Sequence, residues 1–387
     1  MKHVLFIQPN LEGIGGIEKV VPVLAQTYKQ EGNEVSCLVF YGQIPKEQTF
    51  WKRTHTLKEV TTKHFFHKIY KIILRVKELS VYIKTTNPDC IVVSAQGTSI
   101  IVLCAKVLGC INQPVIVYVH QSIRETDTMY NRLLIKLLYR YADGFLCVSK
   151  GIETEILQEI KGAQGKTGTA YNTLSSKKER TLSEEDTAFC MSLAQPVYMT
   201  ASRLEKIKGV DILVDIFIQY LESHPGTLLI VGDGGLRKDV ENKIAQHDLK
   251  KRIICIGYKD NPRQYMAHAQ VYVSCARSEA FGISLIEALS EGVAVIATDV
   301  PYGPQEICDV QGGLPVEYPL VGNYGILFSD VVEIDTMTTR FTQAITKLND
   351  SPFEQDVLKQ RALSFSKEEQ VKEFDKLIRR VLENPRI

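Results

Sequence analysis

The chain has 387 residues, 44% of them hydrophobic and 24% charged, a balance that excludes a disordered or fibrous protein and fits two globular domains of about 150 to 200 residues each. Its nine cysteines are scattered without CxxC spacing, which argues against a disulfide framework or a zinc site and for reduced thiols in a cytosolic compartment. The net charge of +1 hides an asymmetry of +9 over residues 1–180 and −8 over the remainder, which suggests that the first half faces an anionic surface or acceptor.

Lys2 to Gln8 reads as a buried first strand, because Val4-Leu-Phe-Ile7 is too short for the apolar core of a signal peptide. No apolar run approaches the roughly 20 residues of a membrane span, so the protein is expected to be soluble or peripheral. Glycines 13, 15 and 16 then form a loop that can approach a ligand closely before a helix marked by Val20, Val23, Leu24 and Tyr28. Glu34 to Tyr41 is the second strand. Residues 51–84 hold nine lysines and arginines against two glutamates, interleaved with Phe65, Phe66, Ile69 and Tyr70. Such a stretch fits a helix lying on an anionic lipid surface, or one whose apolar face packs on the sheet.

Cys90–Val93 and Pro114–Val119 are further buried strands. His120 follows the second, at the strand edge where open α/β sheets bind ligands. Residues 174–195 lose the alternation and become polar, which marks an interdomain connection. Strand-helix alternation restarts at Pro196-Val-Tyr-Met-Thr200. Arg203 and Lys208 come next at a strand-to-helix junction, where two cations can neutralise a pyrophosphate. Leu228 to Gly235 is a strand ending in a glycine loop with Gly232 and Gly234, and Ile253 to Tyr258 is another strand.

The most informative stretch runs from Arg277 to Thr298. Between two apolar strands, Ile283, Ile286, Ala288, Leu289 and Val293 recur at helical spacing, and Glu279 and Glu287 stand eight positions apart. Ala280-Phe281-Gly282-Ile283-Ser284 brings unpaired backbone N–H groups to a helix start, which favours an anion such as phosphate. Carboxylates beside it can accept hydrogen bonds from sugar hydroxyls. The chain ends in an amphipathic helix, Ser366 to Leu382, with Val371, Phe374, Leu377, Ile378 and Val381 on one face.

The Glu279–Glu287 segment resembles the E-x7-E signature of the retaining family-4 glycosyltransferases, and the likeness extends along nearly the whole chain. It takes in Gly15-Gly16 as the Gly-Gly-x-Glu loop, Arg203 and Lys208 as the Arg-x4-Lys pair, Gly232 and Gly234, and Gly303 with Glu306. The resemblance implies a GT-B fold, two Rossmann-like doubly wound α/β domains facing across a cleft. It divides the chain into an acceptor domain (1–180), a linker (181–195), a nucleotide-sugar donor domain (196–365) and a helix crossing back to the first domain (366–387). It further implies transfer of a sugar from a nucleotide-diphospho-sugar, with UDP-sugar the expected donor. The acceptor would be a glycan or lipid-linked saccharide in surface polysaccharide or lipopolysaccharide assembly.

Arg203, Lys208, Glu279 and His120 are the implied catalytic residues. Gly15, Gly16, Gly232, Gly234, Tyr258, Ala280, Phe281, Gly282, Ile283, Ser284 and Glu287 would bind the donor. No metal or other cofactor is expected, nor nucleic acid. The enzyme would work in the cytoplasm, peripheral on the inner face of the membrane if residues 51–84 bind it. The alternatives are a GT-B sugar-nucleotide epimerase, which needs further acid and base side chains around the sugar, and a non-catalytic sugar-nucleotide-binding subunit.

Overall fold

A computed structural model describes residues 1–12, 16–57, 65–126, 128–174, 181–310 and 317–383, with backbone alone at 16, 17 and 65–71. The chain divides into two compact units, Met1–Ser175 with Ser366–Ile387, and Ser176–Phe365.

The first unit runs β1 (His3–Gln8), α1 (Gly16–Gln30), β2 (Glu34–Val39), β3 (Thr54–Thr56), α2 (Phe65–Thr86), β4 (Cys90–Ser94), α3 (Gln96–Val107), β5 (Val115–Val119), α4 (Met129–Tyr139), β6 (Gly144–Cys147), α5 (Lys150–Glu159) and β7 (Thr167–Thr169). Its seven strands are parallel in the order β3-β2-β1-β4-β5-β6-β7. Residues of β4 and β5 are buried throughout, as expected for parallel strands covered on both faces.

Within residues 51–84, Trp51 and Leu57 enter the core, and α2 buries Val76, Leu79 and Ile83 while exposing Ile72, Ile73 and Val81. Several of the cations there have partners: Lys52 bonds Glu34 at 2.5 Å, Arg53 donates to the Thr85 carbonyl, and Arg75 reaches the Tyr41 hydroxyl. The side chains of Phe65, Phe66, Lys68, Ile69, Tyr70 and Lys71 lie outside the described residues.

The second unit runs α6 (Glu184–Ser192), β8 (Val197–Ala201), a 3-10 turn at Lys206–Lys208, α7 (Val210–Tyr220), β9 (Thr227–Val231), α8 (Arg237–Gln246), β10 (Ile253–Gly257), α9 (Arg263–Met266), β11 (Val271–Ser274), α10 (Ile283–Ser290), β12 (Ala294–Thr298), α11 (Gly303–Cys308), β13 (Leu320–Val321), β14 (Ile326–Ser329), α12 (Ile334–Asp350) and α13 (Gln355–Leu363). Strand order is β10-β9-β8-β11-β12-β14-β13, parallel except that β13 pairs antiparallel with β14. Both sheets reverse direction beside their first strand, at β1/β4 and β8/β11, the switch points where doubly wound sheets open a crevice. Tyr198, Phe217, Tyr220 and Phe341 form the aromatic heart of this core, with Phe217 and Phe341 ring centroids 5.3 Å apart.

One expectation changes here. The segment read as a linker, 181–195, carries α6, capped by the Ser183 side chain accepting from the Asp186 N–H. Only Cys190 of this helix is buried, so it lacks the apolar stripe that marks a helix in sequence.

Helix α14 (Lys367–Glu383) belongs to the first unit. It buries Val371, Phe374, Leu377, Ile378 and Val381, with Phe374 edge-on to Tyr28 at 5.0 Å. All nine cysteines are free, and no described helix is long and apolar enough to cross a membrane.

Candidate active site

The carboxyl ends of β10, β9, β8 and β11 lie side by side, and each delivers part of a polar rim. From β8 the chain passes Ser202 and Arg203 into the 3-10 turn. Gly232, leaving β9 at φ 137°, lies so close that a Cβ there would stand 1.9 Å from the Ser202 carbonyl oxygen. Gly234 follows it, and Leu204 seals the turn by donating to the Asp233 carbonyl at 2.9 Å. Tyr258 stands half-exposed just past β10.

The turn that ends at Lys208 is held from two sides. Gly209 adopts φ 64°, and a Cβ there would fall 1.7 Å from the Cys275 carbonyl oxygen, so only glycine lets β11 pass this close. Arg277, just after β11, donates its backbone N–H to the Ile207 carbonyl and one guanidinium nitrogen to the Lys206 carbonyl. Its fork also grips Asp211 at 2.7 and 2.8 Å. Burial alone would raise the Asp211 carboxyl, yet the Arg277 fork holds it below its usual value. The outcome is a fixed Lys208, whose Nζ donates to Glu279 Oε2 at 2.6 Å across 71 positions of sequence. Both side chains are mostly covered, with 25% and 18% exposed.

Beyond Glu279, Phe281 is buried edge-on to Phe365 at 5.4 Å and anchors the approach to α10. Helix α10 buries Leu285, Ile286, Ala288 and Leu289 and leaves Ile283, Ser284 and Glu287 partly exposed on its other face. The N–H groups of Leu285 and Ile286 both go to the Gly282 carbonyl. Those of Ile283 and Ser284 belong to the first turn, where a helix supplies no acceptor. The Tyr272 hydroxyl bonds the Ala201 backbone and meets Ser284, with Glu287 close by. Burial first, with the Glu287 charge adding to it, pushes this phenol up to about 12.

Sequence reading thus finds a set that the fold gathers on one strand edge: Lys208 with Glu279, and Ala280 to Ser284 and Glu287 at the adjoining helix. Arg203 is not joined to Lys208; its guanidinium bonds Glu205 at 3.0 Å and is half-exposed. The reading missed Asp211, Arg277 and Tyr272, whose roles depend on contacts 66 to 71 positions away. Among the described residues no group of His, Cys, Asp and Glu side chains is placed to hold a metal ion. A cavity of about 680 Å³ opens at the other edge of this sheet, lined by Tyr198, His224 and Val271, away from every one of these groups.

In the first unit, Gly15 lies outside the described residues and Gly16 opens α1. His120 follows β5 with its ring centroid 3.9 Å from that of Tyr118. Its Nε2 is buried without a hydrogen-bond partner among the described residues, as are Gln8 Oε1 and Asn10 Oδ1. Burial pushes the His120 imidazole down to about 3, so the ring is neutral. The loop after it is pinned by Glu155, which accepts from the Ser122 hydroxyl and the Ile123 N–H.

Two family models match this chain. The model for glycosyl transferases group 1 covers residues 192–320, and that for glycosyltransferase family 4 covers residues 14–173. A Campylobacter jejuni N-acetylgalactosamine-N,N'-diacetylbacillosaminyl-diphospho-undecaprenol 4-alpha-N-acetylgalactosaminyltransferase is 26% identical over 79% of this chain and 83% of its own length. A lipopolysaccharide 1,6-galactosyltransferase of Salmonella typhimurium is 24% identical over 79% and 82%. In fold the chain is similar to Anabaena HepE, solved in complex with UDP, at TM-score 0.74 and 18% identity over 98% of this chain and all of the other. Two doubly wound sheets, one within the stretch that matches the family 4 model and one largely within the stretch that matches the group 1 model, make this chain a glycosyltransferase of GT-B fold.

Proposed function

We propose that this enzyme is a retaining glycosyltransferase that moves a hexosyl group from a UDP-sugar to a lipid-linked saccharide in the assembly of a surface polysaccharide or lipopolysaccharide. The observation that carries the reading is the Lys208–Glu279 pair, fixed at the β8/β11 switch point beside the first turn of α10. When the sugar C1–O bond breaks, its electron pair stays on the diphosphate. Charge developing there needs preorganised donors. Lys208 and the N–H groups of Ile283 and Ser284 supply them, and Arg203 joins by leaving Glu205, an exposed pairing of little strength.

Glu279, oriented by Lys208, accepts hydrogen bonds from the sugar hydroxyls, and Glu287 accepts them from the ribose. Ala280, Phe281 and Gly282 offer backbone groups to the sugar. Gly15 and Gly16 serve the donor phosphates, and Gly232, Gly234 and Tyr258 the nucleotide. His120, being neutral, acts as a hydrogen-bonding partner for a sugar hydroxyl and not as a cation. The acceptor hydroxyl attacks the face that the diphosphate leaves, and its proton passes to a leaving phosphate oxygen, so configuration is retained without a covalent intermediate. The cations take the place of a divalent metal. The enzymatic relatives support the acceptor class, one by a name that carries a diphospho-undecaprenol saccharide, the other by a name that carries lipopolysaccharide.

The test is incubation with UDP-galactose, UDP-N-acetylgalactosamine and UDP-glucose, each with a polyprenyl-diphosphate-linked saccharide, followed by NMR of the product. A product linkage with the donor's anomeric configuration is expected. An inverted linkage overturns retention, and transfer only from a different nucleotide overturns the donor assignment.

A further inference from the structure

The cavity of about 680 Å³ in the second unit has no part in the proposed reaction. It opens at the amino ends of β8, β11 and β12, among Pro196, Val271 and Ala294, whereas Lys208 and Glu279 stand past the carboxyl ends. The five residues of β8 run about 16 Å between the two edges. The volume falls in the range of small-molecule sites, about 300–1,000 Å³.

Its wall is fixed in advance. The Tyr198 and Tyr220 hydroxyls bond each other at 2.8 Å, and the His224 ring stacks on Tyr220 at 4.3 Å with 3° between the planes. Arg252 holds the loop that carries His224 and Pro225 by donating to the Leu221, His224 and Gly226 carbonyls. Three polar side chains of the wall are each tied through one atom and keep another without a partner among the described residues. His224 Nδ1 lies 3.0 Å from the Tyr220 carbonyl, which leaves Nε2. Gln270 Oε1 accepts from the Val197 N–H at 2.6 Å, which leaves the amide nitrogen. Glu291 Oε1 accepts from Arg263 at 2.9 and 2.6 Å, which leaves Oε2.

These groups select the ligand. Among the described residues no lysine or arginine lines the cavity, so a phosphate or nucleotide would find no counter-charge there. His224, Pro225 and Phe353 offer flat apolar surface, beside a fixed imidazole, amide and carboxylate. A molecule with an apolar ring face and a rim of hydroxyls, each both donor and acceptor, satisfies both features. We infer that this cavity is a second, non-catalytic binding site for a neutral saccharide. Its geometry stands apart from the donor site; that the saccharide belongs to the glycan being elongated rests on the transferase reading. A glycan held here stays on the enzyme between turnovers, at raised effective concentration.

The experiment is saturation-transfer difference NMR of the full chain with lactose, maltose and chitobiose, in saturating UDP so that the donor site is filled. Sorbitol serves as an open-chain polyol without a ring face, and a UDP thermal shift is run on the same protein. At least one disaccharide should bind with UDP present, and sorbitol should not. His224→Ala removes the stacked ring, and Thr346→Tyr fills the cavity from an exposed lining position on α12. Each should weaken disaccharide binding at least about tenfold, with an unchanged UDP shift. Absence of binding by every disaccharide, an equal signal from sorbitol, or binding that either variant leaves intact overturns the site. Disaccharide binding lost in both variants, in a protein without any UDP response, supports the site and counts against the donor reading instead.

Discussion

Replacing Lys208 with Met separates the chemical role of this side chain from its structural one. In the free enzyme the ammonium makes a 2.6 Å bond to Glu279, with 25% and 18% of the two side chains exposed. A charge-assisted bond of that kind contributes about 1.5–3 kcal/mol when buried, and residual solvent brings it toward the lower figure. Stability should therefore fall by about 1–2 kcal/mol, including the penalty for leaving Glu279 unpaired. Catalysis should lose more. Removing one preorganised donor from a developing anion typically lowers kcat by about 10²–10³, or about 3–4 kcal/mol. The assay is steady-state release of UDP from the UDP-sugar, with a melting curve on the same preparation. A kcat within about threefold of the wild type, less than 1 kcal/mol, would refute the assignment of Lys208 to the leaving diphosphate. A stability loss that equals the catalytic loss would refute the claim that its main work is chemical.

Gly209→Ala should prove severe for so small a change, because the new Cβ meets the Cys275 carbonyl at 1.7 Å; the loss should exceed about 1 kcal/mol in denaturant melts, with kcat reduced about 10²-fold as Lys208 shifts. Arg277→Lys replaces a fork with a point charge and should cost about 1 kcal/mol, seen in melts as well as in weakened donor binding, since the Lys206–Lys208 turn loses its support from β11. For His120, burial lowers the folded-state value from 6.5 to about 3, so between those limits the unfolded chain binds a proton that the native one does not. Its contribution is complete above pH 6.5 and falls by about 1.4 kcal/mol per unit of pH below it. His120→Asn should flatten the stability profile between pH 6.5 and 5, and an unchanged slope would contradict the burial.

Much of the fold is legible because parallel strands covered on both faces must be continuously apolar. Val4 to Ile7, Cys90 to Val93 and Leu228 to Val231 are each wholly buried and announce themselves. The α10 segment is legible only in part: of the residues whose spacing marks it in the sequence, Ile286, Ala288 and Leu289 are buried in the helix, whereas Ile283 is partly exposed beside Ser284 and Glu287 and Val293 lies beyond the helix end. The sequence does not disclose what the chain's return contributes. Nothing near Asp211 predicts that Arg277 will grip it, and the necessity of Gly209 appears only when the Cys275 carbonyl is placed against it. Helix α6 stays hidden because its signal is a Ser183 cap and an acidic first turn, without an apolar stripe. The basic composition of residues 51–84 points to a surface whose cations are partly committed to Glu34, Thr85 and Tyr41.

The central claim, a preformed nucleotide-sugar site around Glu279 and Glu287, is tested most directly by thermal shift with UDP-, GDP-, ADP- and CMP-sugars, in the absence of divalent metal, on the wild type and Glu287→Ala. A ligand that binds only the folded state adds about 2.7 kcal/mol at a hundredfold excess over Kd. The account predicts stabilisation by the UDP-sugars that disappears in Glu287→Ala. Stabilisation that survives the substitution, or none with any nucleotide sugar, would contradict it.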